Sequence, residues 1–244
     1  MKTGLIALAL CAGAASSAFA DFTVSLQPGA LPTAQPGWTY GTSGLHTGTP
    51  ESTAFATTGT RLDMSTMGRG LAATSAYLGA RHFIPESAIT NTSRVHIGLR
   101  ARVIASEVDQ YHHGFGVSVQ GGDYWLGFGL STTHVQFTNI PAVPAMPASF
   151  DTTQWHDYDI FGDWTTGQFH FFVDSQLVAQ GPMGWAHMAP NVFIGDATGT
   201  ANASVQIEEF AMTVPSPAGL SVLAPLGLFA ARRRRTALCS FDLS

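Results

Sequence analysis

The run Val95-His96-Ile97-Gly98-Leu99-Arg100-Ala101-Arg102-Val103 decides how this chain folds. Its odd positions are apolar, and His96, Arg100 and Arg102 occupy the even ones. A period of two sustained over such a stretch is the pattern of a strand with one face in a core and one in water. The same rhythm recurs outward from it. Residues 113–120 (HGFGVSVQ) and 125–130 (WLGFGL) flank Gly121-Gly122-Asp123-Tyr124, which reads as a hairpin turn. Residues 133–138 add a strand, and 155–161 and 168–173 flank a second hairpin turn at 162–167. Residues 176–179, 191–195 and 204–213 complete the set. Pro141, Pro144 and Pro147 bar 140–150 from a central strand, because each removes a ladder donor. Many short strands with regular turns, and no helix-period stretch between them, predict an all-β antiparallel β-sandwich. The Thr/Gly/Ala-rich stretch 41–79 predicts strands with long loops inside the same domain.

Composition agrees. The chain has 244 residues, 45% of them hydrophobic and 11% charged, against about 25% charged in ordinary soluble domains. That excludes a disordered polyelectrolyte and a coiled coil, and no internal apolar stretch approaches the roughly 18 residues of a membrane span. The net charge of −5 conceals an asymmetry, because Lys2, Arg232, Arg233, Arg234 and Arg235 place five of the eleven basic residues at the ends. Over 21–214, six arginines face fifteen of the sixteen acids, a net of −9. Such a body repels phosphate backbones, so nucleic acid is not an expected partner. Cys11 and Cys239 lie in the end segments, which leaves the body without a thiol and without a disulfide framework.

Both ends read as addresses. Lys2, the apolar stretch Leu5-Ile6-Ala7-Leu8-Ala9-Leu10 and the small-x-small site Ala18-Phe19-Ala20 make residues 1–20 a secretory signal cleaved before Asp21. At the other end Val214-Pro215-Ser216-Pro217 precedes an apolar run of 14 residues, 218–231, and the four arginines. Prolines end the preceding strand, a short apolar helix enters the bilayer, and the arginines hold its end at the cytoplasmic face. This layout over 214–235 resembles the PEP-CTERM sorting signal of bacterial exported proteins, with Val-Pro-Ser-Pro in place of Pro-Glu-Pro and a tail, 236–244, beyond the arginines. The resemblance implies recognition by an exosortase-type membrane peptidase, membrane contact only through this segment, and delivery to the cell surface or extracellular matrix. A plain C-terminal anchor helix is the alternative.

The C-terminal half carries a second resemblance. Trp155-His156-Asp157-Tyr158-Asp159-Ile160, Trp164 and Gly167-Gln168-Phe169-His170-Phe171-Phe172-Val173-Asp174-Ser175 are similar to the hairpins of laminin-G-like, concanavalin A-like jelly rolls. Asn191-Val192-Phe193-Ile194-Gly195-Asp196 and Val205-Gln206-Ile207-Glu208-Glu209-Phe210 resemble their closing strands. Ser175 stands where that family prefers Gly. The resemblance covers about 90–213 and implies a jelly roll over 21–213. It leaves activity open, since the same sandwich hosts lectins, hydrolases and spacers.

This scaffold offers several candidate sites. Hydrolases of this fold place Glu-x-Asp-x-x-Glu on one strand so that alternate carboxylates face a cleft. Here Glu107-Val108-Asp109-Gln110-Tyr111-His112 has histidine at the third position, so it reads as an acidic turn, and no catalytic residue is assigned. Asp157 and Asp159 alternate on one strand face, with Asp163 beyond them, and read as a solvated sheet face. Nine histidines include no His-x-His or His-Glu-x-x-His, and no metal site is assigned from them. If a cofactor is used it is calcium, with Asp123, Asp196 and Asn202 as oxygen donors. Sugar binding would use aromatic residues beside polar groups: Tyr111, His112 and His113; Tyr124 and Trp125 beside Asp123; and Trp185 near His187. The expectation is a non-enzymatic exported protein with weak binding of extracellular polysaccharide. A carbohydrate-active hydrolase or lyase and a structural spacer are the rival readings.

Overall fold

The computed structural model describes residues 21–71, 76–108, 114–137, 146–186 and 188–215. Two antiparallel sheets form the molecule. The first contains, in spatial order, β13 (Gln176–Pro182), β12 (Gln168–Val173), β11 (His156–Asp163), β6 (Arg94–Val108), β16 (Ala201–Val214), β4 (Arg61–Ser65) and β3 (Phe55–Thr58), and β1 (Phe22–Leu26) also pairs with β16. The second runs β10 (Met146–Pro147), β9 (His134–Phe137), β8 (Tyr124–Leu130), β7 (Phe115–Gly121), β15 (Asn191–Asp196), β5 (Tyr77–Phe83) and β2 (Trp38–Ser43), with β14 (Gly184–Trp185) on β8. The chain is an all-β jelly-roll sandwich.

The alternation that identifies β6 also builds the core. Val95, Ile97, Leu99, Ala101 and Val103 are buried, as are Tyr158, Ile160, Phe169, Phe171, Val205, Ile207, Phe210 and Met212 from the same sheet. They meet Leu78, Ala80, Val117, Val119, Leu126, Phe128, Val192 and Ile194 of the second. Aromatic rings interlock across the gap, Phe128 with Phe171 at 4.8 Å and Phe137 with Phe169 at 4.7 Å between centroids, offset and tilted as ring quadrupoles prefer. Trp164, in the turn between β11 and β12, is 1% exposed and donates its indole N–H to the Gly121 carbonyl at 2.6 Å. It fastens a turn of one sheet to a hairpin of the other.

Several expected boundaries move. β6 runs on to Val108, so Glu107 lies in a strand opposite Asn202 and not in an acidic turn. β16 extends to Val214, one residue past the expected limit of 213; Val214 is buried and pairs with Phe22, and the strand ends before Pro215. A bulge between Ile207 and Glu209 turns both Glu208 and Glu209 outward, breaking the alternation that a regular strand would impose. Trp155 precedes β11 and packs against the guanidinium groups of Arg100 and Arg102, at 5.8 and 5.1 Å, on the outer surface and not in the core. Asp174 and Ser175 both take left-handed φ, 49° and 67°, as a two-residue type I′ hairpin turn requires.

Candidate functional site

The β7–β8 hairpin turns at Gly122, whose φ of +53° suits glycine. Asn91 clamps the next residue: its side-chain oxygen accepts from the Asp123 N–H at 2.9 Å and its amide donates to the Asp123 carboxylate at 2.6 Å. The Asp123 carbonyl accepts the Ala186 N–H at 3.0 Å, which brings β14 alongside β8 with Trp185 opposite Tyr124. The two rings then lie face to face, 5.3 Å between centroids and 19° between planes. Trp185 is 69% exposed. Beneath it Tyr124 is edge-on to buried Trp164, at 6.4 Å and 88°, and its hydroxyl fills the space that a side chain on Gly167 would occupy. The result is a supported, solvent-facing indole bordered by a carboxylate and a carboxamide.

Two of the three aromatic sets proposed from sequence thus contribute to one place, Tyr124 with Asp123 and Trp185. Trp125 alternates to the other side of β8, opposite Gln120. Tyr111, His112, His113 and His187 lie outside the described residues, as do Ala18, Ala20, Pro217, Arg232, Arg233, Arg234 and Arg235.

The calcium candidates do not converge. Asp123 sits at the hairpin, whereas Asp196 ends β15 five residues beyond Asn191, the partner of Gln120, roughly 17 Å along the sheet. Asp196 is wholly buried. One carboxylate oxygen accepts from the Thr198 N–H at 2.8 Å and its hydroxyl at 3.1 Å, the other from the Thr66 hydroxyl at 3.0 Å. Buried His46 places Nε2 3.7 Å away. Burial pushes the Asp196 carboxyl up to about 7 and pulls the His46 imidazole down. Asn202 turns its amide to the Gly70 carbonyl and the Glu107 carboxylate, at 3.1 and 2.9 Å. Among the described residues no three His, Cys, Asp or Glu side chains gather as metal ligands.

The carboxylates of the expected solvated sheet face are paired. Asp157 contacts Arg100 at 3.0 Å, Asp159 contacts His96 at 2.7 Å and Asp163 contacts Arg94 at 3.3 Å. Arg100 also reaches Glu208 at 2.9 Å, and burial of the His96 ring is shared with Phe161, stacked on it at 4.3 Å. Asp109 and His112 of the Glu107 stretch lie outside the described residues, and Glu107 itself holds Asn202. The His46–Asp196 pair escaped the sequence reading because its members are 150 positions apart and neither belongs to a spaced motif.

No family model matches the chain, and no curated protein does. Solved structures do resemble it at low identity. A prokaryotic β-1,3-1,4-glucanase (lichenase) derived from a mouse hindgut metagenome is 13% identical with a TM-score of 0.47, over 81% of this chain and all of its own. Peanut lectin is 10% identical with a TM-score of 0.44, over 79% of this chain and 97% of its own. A sialidase is 8% identical with a TM-score of 0.43, over 65% of this chain; this chain spans only 16% of that one.

Proposed function

We propose that this protein is an exported, non-enzymatic carbohydrate-binding protein of the cell surface or extracellular matrix. In this reading residues 1–20 carry it out of the cytoplasm. The segment 214–235 sorts it through an exosortase-type peptidase and touches the membrane only in transit. One observation carries the binding role: Trp185 is 69% exposed yet held flat against Tyr124 by a strand pair. A large aromatic face left in water is costly unless something covers it. A pyranose ring offers an apolar face for the indole and hydroxyls for Asp123 and Asn91. The ring is already fixed, so little conformational entropy is lost on binding. The one-sided platform fits weak, repeated contact with a polymer.

The test is a glycan array on the purified protein, with calcium present and with calcium chelated, followed by calorimetry on the best ligand. Trp185→Ala is expected to weaken binding by about tenfold or more. Absence of binding to every glycan in both conditions, or a Trp185→Ala protein that binds as the parent does, contradicts the proposal. Turnover of a bound oligosaccharide favours the hydrolase or lyase reading.

A further inference from the structure

Six arginines lie between Asp21 and Val214. Arg61, Arg94 and Arg100 form ion pairs with carboxylates, Arg102 donates to the Gln206 side chain and Arg69 to the Thr49 hydroxyl. Arg81 differs from all five. Its guanidinium makes no ion pair and donates no hydrogen bond among the described residues, and its Nε, like that of Arg69, is buried without an acceptor. Two aromatic rings hold it instead, Tyr77 at 5.0 Å and Phe193 at 5.7 Å from the guanidinium carbon.

The surroundings explain its position and leave its charge unanswered. Tyr77, Gly79, Arg81 and Phe83 alternate on the outer face of β5, and the Phe193 ring fills the space over Gly79. Thr39 on β2 and Phe193 on β15 are its cross-strand neighbours, and the Thr39 hydroxyl donates to the Arg81 carbonyl at 3.0 Å. A cleft of about 150 Å³ opens there, lined by Thr39, Gly41, Tyr77, Gly79, Arg81 and Phe83, and the Phe83 ring is 56% exposed. Among the described strand residues of the second sheet, the other formally charged side chain is Asp196, which is buried and faces inward. Among the described strand residues, Arg81 is thus the formally charged side chain on this outer face.

We propose that the Arg81 cleft binds the carboxylate of an acidic sugar, a uronate unit of a polysaccharide. A guanidinium fork matches a carboxylate in two parallel hydrogen bonds. Tyr77 and Phe193 fix the fork beforehand, as stacked rings do for arginine. Phe83 supplies an apolar face for the sugar ring, and a cleft this small admits a single unit and not a long chain segment. The inference rests on the carbohydrate-binding reading for the sugar and on Arg81 alone for the charge.

Calorimetry on the full chain tests it with three probes: a short oligogalacturonate, the same oligomer with its carboxyls reduced to alcohols, and inorganic sulfate. Arg81→Gln removes the charge, Arg81→Lys keeps it without the fork, and Trp185→Ala disables the other platform. Expected are oligogalacturonate binding, a loss of at least about tenfold on reducing the carboxyls or in Arg81→Gln, and an intermediate loss in Arg81→Lys, all at an unchanged melting temperature. Equal binding of the two oligomers overturns the inference, as does undiminished oligogalacturonate binding by Arg81→Gln or sulfate binding as tightly as the uronate. Uronate binding that depends on Arg81 but not on Trp185 upholds the inference and removes the Trp185 platform. Neutral-glycan binding that depends on Trp185, without any Arg81-dependent uronate binding, does the reverse.

Discussion

The outer faces of the two sheets are built on opposite plans. On the first sheet Arg94 and Arg100 pair with Asp163, Asp157 and Glu208 on neighbouring strands, Asp159 meets His96 in the same way, and Arg61 pairs with Asp63 two residues along its own strand. On the second sheet charge is nearly absent and side chains are missing altogether from one row. Gly129, Gly116, Gly195, Gly79 and Gly41 are cross-strand neighbours in sequence of strands β8, β7, β15, β5 and β2. The Phe193 ring lies where a side chain on Gly79 would go, and Tyr77 occupies the same place over Gly41. Aromatic rings laid over strand glycines recover packing that glycine gives up. The lesson is that richness in charge does not mark a working surface. The first face satisfies its own charges, whereas the second leaves one cation without a partner.

The largest effect expected from this contrast comes from two glycine substitutions. A Cβ on Gly79 would lie 2.6 Å from the Ile194 carbonyl oxygen and 2.6 Å from the Phe193 ring, while one on Gly98 of the first sheet would have 3.5 Å to the Asp159 carboxylate and the His96 ring. Gly79→Ala should therefore destabilise by about 2–3 kcal/mol, as overpacking does. Gly98→Ala should stay within about 0.5 kcal/mol of the parent. Denaturant titration of both variants decides it, and equal effects would erase the distinction between the faces.

The next effect concerns Asp196, the carboxylate buried at the end of β15. Asp196 titrates near 7 in the folded chain, far above its usual 3.8, so folding favours its protonated form. That stabilisation is complete below about pH 4 and is lost as pH rises through 7. His46 works with the opposite sign: its folded value is lowered, and its contribution is present above 6.5 and lost as pH falls through that lowered value. Nearby Arg69 also disfavours the charged imidazole, and Glu107 faces Asn202 at the adjoining end of β16. Between pH 5 and 8 the parent should lose roughly 2 kcal/mol more stability than Asp196→Asn. Parallel pH profiles of the two proteins would show that the buried pair is not as described. The smallest effect belongs to the first face. Arg100→Ala breaks two partly exposed ion pairs and should cost under about 1 kcal/mol, less still in high salt; a larger, salt-independent loss would make that face structural.

The legibility of the sequence followed the same divide. The first sheet's central strands announce themselves because polar residues alternate with apolar ones, as at Val95 to Val103. The second sheet is harder to read in detail, because β7 and β15 are buried on both faces, and their outward rows hold Gly116, Ser118 and Gln120 in one and Asn191, Phe193 and Gly195 in the other, where a wet face would show charge. The hairpins at Gly122 and Asp174 are evident from turn chemistry. The bulge at Glu208 is not, since a bulge inserts a residue without changing composition. Trp155 opens the expected strand 155–161, yet it precedes β11 and lies on the outer surface, where Arg100 and Arg102 cover its ring. Tyr124 and Trp185 were each nominated, but their stacking depends on the Asp123–Ala186 backbone bond, which no local pattern encodes. Arg81 gave no signal at all: what distinguishes it is the absence of a partner, a property of the fold.

Hydrogen exchange of the amides in the presence and absence of bound oligosaccharide tests the central claim, that ligand meets the molecule on the second sheet and its edge. The account predicts protection at Tyr124, Trp185 and the Arg81 stretch of β5, with β6, β11 and β12 unchanged. Protection centred on His96, Asp159 and Phe161 of the first sheet would contradict it.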